Sequence, residues 1–151
     1  MLRIEIVKRS NGEGVLRCTR RDGSTTWQKR IRHAAHFASH DLTHFAVETV
    51  LRYRRGFFGL IAAGWDIEDT TGKGKRGPLP SEAIEVETIV GVFDSERACG
   101  QLWTADEFSA FARRALSQSE IQKIRTARGN LFRQWSAVQP GQKLELQFDT
   151  D

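Results

Sequence analysis

A chain of 151 residues with 39% hydrophobic and 28% charged residues has the composition of a folded globular core, which excludes a disordered or fibrous polypeptide. No apolar run approaches the roughly 20 residues that a membrane-spanning helix needs. The formal net charge of +4 divides unevenly: residues 1–55 carry 12 basic and 5 acidic side chains, residues 56–151 carry 11 and 14.

A basic half can attract nucleic acid, a protein or a small anion, or it can simply be a solvated face. No nucleic-acid-binding motif accompanies the charge, so a nucleic-acid partner is disfavoured, while a small anionic ligand or a protein partner fits the chemistry. Cys18 and Cys99 are too few to make a disulfide framework and read as buried free thiols. Met1-Leu2-Arg3-Ile4-Glu5-Ile6 alternates charged and apolar side chains, unlike the apolar segment of a signal peptide, and a cytoplasmic protein without membrane attachment is expected.

In chain order, the alternation over 2–9 predicts a half-buried strand. Asn11-Gly12-Glu13-Gly14 is turn chemistry, 15–20 a second strand, Arg21-Asp22-Gly23-Ser24 a second turn and 25–31 a third strand. A connection over 32–38 leads to a helix capped by Ser39, with Asp41 in its first turn, running to about Arg54 or Arg55 and stopped by Gly56. Apolar side chains sweep most of this helix's circumference, so it reads as the central one.

A short helix over 57–63 precedes Trp65–Asp69 and a Gly-, Lys- and Pro-rich loop over 70–80. Residues 84–92 alternate like a strand but also share a helical face. Ser81 as cap and the acidic residues that follow favour a helix over 82–98. Thr104-Ala105-Asp106-Glu107 is a capping box opening a helix to about Leu116. A longer helix over about 120–138 ends at Pro140-Gly141, and 143–148 alternates as a last strand. Arg128 falls inside the apolar arc of that helix, which predicts a buried ion pair with an acidic residue of another helix. The four tryptophans read as core. The expected fold is α+β in a single domain over 1–151. Its antiparallel sheet combines the N-terminal three-stranded meander with a C-terminal strand, and four to five helices pack largely on one face.

All four histidines, His33, His36, His40 and His44, fall within twelve residues. At about 100° per residue, His40, His44 and Glu48 rise in one stripe at the margin of the apolar arc. Two imidazoles and a carboxylate suit zinc, and also iron(II), manganese or nickel. Three protein ligands leave a position for water, the arrangement of catalytic sites. His36, Asp66, Glu68 or Asp69 could add a ligand if the fold brings them near.

His40-Asp41-Leu42-Thr43-His44 resembles the His-Glu-x-x-His helix of the zincin metalloproteases over those five residues. The resemblance implies His40 and His44 as ligands and Asp41 as general base. Aspartate stands where that family has glutamate, one methylene shorter, and no third ligand signature of the family follows. Thr71-Gly72-Lys73-Gly74-Lys75-Arg76-Gly77 lacks the spacing of a phosphate cradle and reads as a basic loop that could close over an anion.

Two functions follow as expectations. One is a divalent-metal protein, a hydrolase or lyase using a metal-activated water, with His40, His44 and Glu48 as ligands and Asp41 as base or orienting group. The other is a non-enzymatic binding module for a protein or nucleic acid, with structural histidines. The helix spacing favours the first, and the charge asymmetry the second.

Overall fold

The computed structural model describes residues 1–151. Four strands, β1 (Leu2–Lys8), β2 (Gly14–Thr19), β3 (Thr25–Arg30) and β4 (Lys143–Phe148), form one antiparallel sheet in the order β3-β2-β1-β4. The meander and the returning C-terminal strand are as the alternation predicts. β1 is central, pairing Ile4 with Cys18 on one side and with Leu146 on the other. This register places Leu2, Ile4, Ile6, Leu16, Cys18, Leu144 and Phe148 in the core.

Five helices follow the meander: α1 (Ala34–Val50), α2 (Phe57–Ala62), α3 (Ser81–Cys99), α4 (Ala105–Ala112) and α5 (Gln118–Ala137), with a 3₁₀ turn at Glu68–Thr71. The architecture is therefore α+β. α1 packs against α2, α3, α5 and β2, which gives it the central place its wide apolar arc demands. Side chains from α1, α3, α4, α5 and the sheet join in one cluster of 26 buried residues. No helix is long and apolar enough to cross a membrane.

The helix boundaries differ from the sequence expectation in instructive ways. α1 begins at Ala34, five residues before Ser39, because Ala34 and Ala35 are strong helix formers and His33 turns the chain in the left-handed region (φ 54°). Asp41 consequently lies in the helix interior and does not serve the dipole. α1 stops at Val50 instead of Arg54 or Arg55. Tyr53 N–H bonds to the Glu48 carbonyl and Arg52 N–H to that of Thr49, with Arg52 left-handed (φ 57°). That is a Schellman closure made without glycine.

Gly56 is the N-cap of α2 rather than the end of α1. The ambiguous stretch 84–92 is helical within α3, although Pro80, not Ser81, stands at its cap. The capping box at Thr104 forms as expected, but α4 ends at Ala112, where Arg113 turns left-handed. A second box, Ser117 with Glu120, opens α5.

Three side-chain expectations resolve as well. Arg128 reaches toward Glu96 of α3, which Arg125 also grips through Nε at 3.1 Å; Glu96 is 2% exposed. Trp27 is corrected from core to surface, since its place on β3 turns it to the face away from the helices, 64% exposed. Cys18 is a buried free thiol, whereas Cys99, in the last turn of α3, is exposed.

Candidate metal centre

α1 and α3 run antiparallel, so the histidines of one descend past the acids of the other. His44 is 1% exposed and His40 is half-buried. The i, i+4 spacing brings their rings to 4.8 Å between centroids. On α3, Glu87 and Asp94 are seven residues apart and therefore face α1 together.

Each imidazole is held by its Nδ1. His44 Nδ1 lies 3.0 Å from Glu48 Oε2, and His40 Nδ1 lies 2.7 Å from Asp94 Oδ2. Both Nε2 atoms then turn toward Glu87. His44 Nε2 is 2.9 Å from Glu87 Oε1, and His40 Nε2 is 3.9 Å from Glu87 Oε2. One ligand atom from each of His40, His44 and Glu87 lies within 4.8 Å of the others.

Glu48 is thus beside His44, as the stripe predicts, but its oxygens are engaged elsewhere. Oε2 accepts from Phe57 N–H at 3.0 Å. Oε1 accepts from Phe58 N–H at 3.0 Å and Gly59 N–H at 3.3 Å. The carboxylate satisfies the first amides of α2, which has no cap side chain of its own. Gly56 permits the approach: a Cβ there would come within 2.5 Å of the Glu48 carboxyl carbon. Glu48 therefore orients His44 and anchors α2, and Glu87 supplies the carboxylate that faces both histidines.

The electrostatics follow from these contacts. Burial works against a charged His44 ring, yet hydrogen bonds to Glu48 and Glu87, with their charges, outweigh it and push the imidazole up to about 10. Burial works against the Glu87 carboxylate too, but the bond to His44 and the nearby histidine charges hold it below the usual glutamate range. Without an ion, a proton on Nε2 joins His44 to Glu87.

Asp41 is almost wholly buried and touches neither histidine through a hydrogen bond. Burial pushes its carboxyl up to about 6, against the pull of Arg30, His44 and His40. It lies 3.7 Å from Arg30 Nη2, and its Oδ2 has no hydrogen-bond partner. Asp41, His40, His44 and Glu87 all line one cavity of about 420 Å³ between β3, α1 and α3. Arg30, Phe37 and Phe57 contribute to its walls, and Thr70 and Thr71 place the start of the 70–80 loop there.

The remaining candidates stay apart. His36 is exposed and stacks on His40. Asp66 binds Arg20 at 2.9 Å, and Asp69 accepts from Asp66 N–H. Glu68 opens the 3₁₀ turn and faces a different cavity beside β3. Glu87 and Asp94 escaped the sequence reading. The signal that could have found them is their i, i+7 spacing on a helix antiparallel to the histidine helix.

Among known proteins, no family model, curated protein or solved structure matches the chain.

Proposed function

We propose that the protein binds one divalent metal ion, zinc being the best fit, between His40, His44 and Glu87, with water completing the coordination. One observation carries the reading: two imidazole Nε2 atoms turn toward a single carboxylate while each Nδ1 is held by another acid. Metal-binding histidines characteristically carry their second nitrogen on such an orienting carboxylate. Here Glu48 and Asp94 play that part.

The ligand atoms of His40, His44 and Glu87, now up to 4.8 Å apart, would have to draw together around an ion. Ligand atoms about 2.1 Å from a tetrahedral zinc stand roughly 3.4 Å apart. The His44–Glu87 pair at 2.9 Å would open slightly, and the His40 Nε2–Glu87 separation of 3.9 Å would close slightly. An ion would take the place of the proton that joins His44 Nε2 to Glu87, while the Nδ1 proton stays on the imidazole and is donated to Glu48.

A three-ligand site would leave a position for water, and the ion would supply the acidification of that water which a hydrolase or a lyase uses. Asp41, in the same cavity and with its carboxyl at about 6, is suited to take up a proton near neutral pH.

A second reading has its own support. His44 already carries a carboxylate on each nitrogen, so a proton alone can hold the cluster as a structural knot in a non-enzymatic binding module. Elemental analysis of untagged protein, with zinc titration of the metal-free form, separates the two. The metal reading expects about one equivalent, lost in His44→Ala. Less than about a tenth of an equivalent with no uptake of zinc, iron or manganese leaves only the knot.

A further inference from the structure

Away from the histidines, α4 and the loop before it carry an apolar surface that no other part of the chain covers. Leu102 and Phe111 are 78% and 57% exposed, and Trp103 is half-buried. Single exposed hydrophobics are ordinary on a protein surface, but these gather on one short helix and its entry. The platform is held in place. Phe111 lies against the Trp103 ring at 5.2 Å between centroids, and Trp103 in turn meets the buried Phe108 at 6.0 Å. Trp103 N–H donates to Glu96 at 2.8 Å and its carbonyl accepts from Arg125 at 2.9 Å, which pins the loop to α3 and α5.

The charges of α4 stand at opposite ends of the same exposed face. Its outward residues are Asp106, Glu107, Ala110 and Phe111, followed by Arg113 where the helix ends. Asp106 and Arg113 are seven residues apart, two turns and roughly 10 Å along the axis, and rise on one side. Both are exposed and bound to no other side chain, whereas Glu107 closes the capping box and Arg114 stacks on Tyr53. Ala110, between them, is small enough to let a second helix come close. A face with acid at one end and base at the other complements its own copy turned about a two-fold axis. A partner of a single sign, such as a nucleic acid, would meet repulsion at one end.

We infer that the protein self-associates through α4, two copies packing the helix antiparallel so that Asp106 of each meets Arg113 of the other. The helices cross near Ala110, and the exposed surface of Leu102, Trp103 and Phe111 leaves water in both copies. Aromatic side chains already held in place lose little freedom on docking, which favours association. Each charge also suits its own end of the helix dipole, so the arrangement does not strain the free chain. α4 has eight residues and is about 12 Å long, too short to bury the roughly 800 Å² per partner of a stable complex. The dimer is therefore weak and reversible. It needs no ion at the histidines and is independent of the metal reading.

The test is analytical ultracentrifugation of untagged protein in EDTA, from about 1 μM to about 1 mM, the range of weak interfaces. The wild type should rise from 17.1 kDa toward twice that mass with concentration. Asp106→Arg and Arg113→Asp should each stay monomeric alone, because each sets like charges against each other at both contacts. An equimolar mixture of the two should dimerise again, since opposite charges then face each other across the pair. Phe111→Lys, at an exposed position, should also stay monomeric, and is the second variant should a charge reversal unfold, which circular dichroism reads. A wild type that is monomeric throughout overturns the inference. So does a dimer that the folded variants leave unchanged, or folded charge reversals that do not recover on mixing.

Discussion

His44 donates through Nδ1 to Glu48 across 3.0 Å, and both side chains are removed from water. The same carboxylate receives the first amides of α2, so one buried acid ties a histidine to the start of the next helix. Replacing it strands several donors at once. Glu48→Gln should cost about 3–5 kcal/mol of unfolding free energy, the range for breaking a buried charged pair. Gly56→Ala, which drives a methyl into that carboxylate, should cost about 1–3 kcal/mol. Urea denaturation followed by circular dichroism measures both, and losses near zero would mean that Glu48 is not the anchor.

In metal-free protein the His44 imidazole is raised from 6.5 to about 10, so folding favours its protonated form. That contribution is fully present below about pH 6.5 and is lost as pH rises toward 10. Unfolding free energy measured in EDTA should therefore fall across pH 7–10. His44→Gln should flatten the slope, whereas an unchanged slope would place the titrating group elsewhere.

Asp94 supplies no proposed ligand atom, yet it fixes the His40 ring at 2.7 Å. Asp94→Asn should weaken metal binding by about 10- to 100-fold, the effect typical of losing an orienting carboxylate. Competition against a chromogenic chelator reads the change. Affinity equal to wild type would show that His40 is oriented by other means.

The sheet was legible because alternation and turn residues act over a few neighbours. Asn11-Gly12 and Asp22-Gly23 closed the hairpins, and the period of two sent Ile4 inward and Arg3 outward. Trp27 misled because a large aromatic on an edge strand follows the same alternation as a lysine and can face water. The end of α1 misled because arginine, not glycine, took the left-handed position at Arg52.

Of the site, His40 and His44 were legible because i, i+4 spacing fixes their shared face within one helix. Glu48 shared that face too. Its engagement by α2, however, depends on the chain folding back at Gly56, which no local pattern encodes. Glu87 and Asp94 come from another helix, 43 residues beyond His44 and 54 beyond His40 respectively. Their arrival depends on how α3 packs on α1, which the local pattern that favoured a helix over 82–98 does not encode.

The most direct measurement is a calorimetric zinc titration of untagged, metal-free wild type beside Glu87→Gln. The account predicts a single site in the wild type, and an affinity at least about tenfold weaker once Glu87 is replaced. No uptake by the wild type, or equal affinity in the variant, would contradict the assignment of His40, His44 and Glu87 as a metal centre.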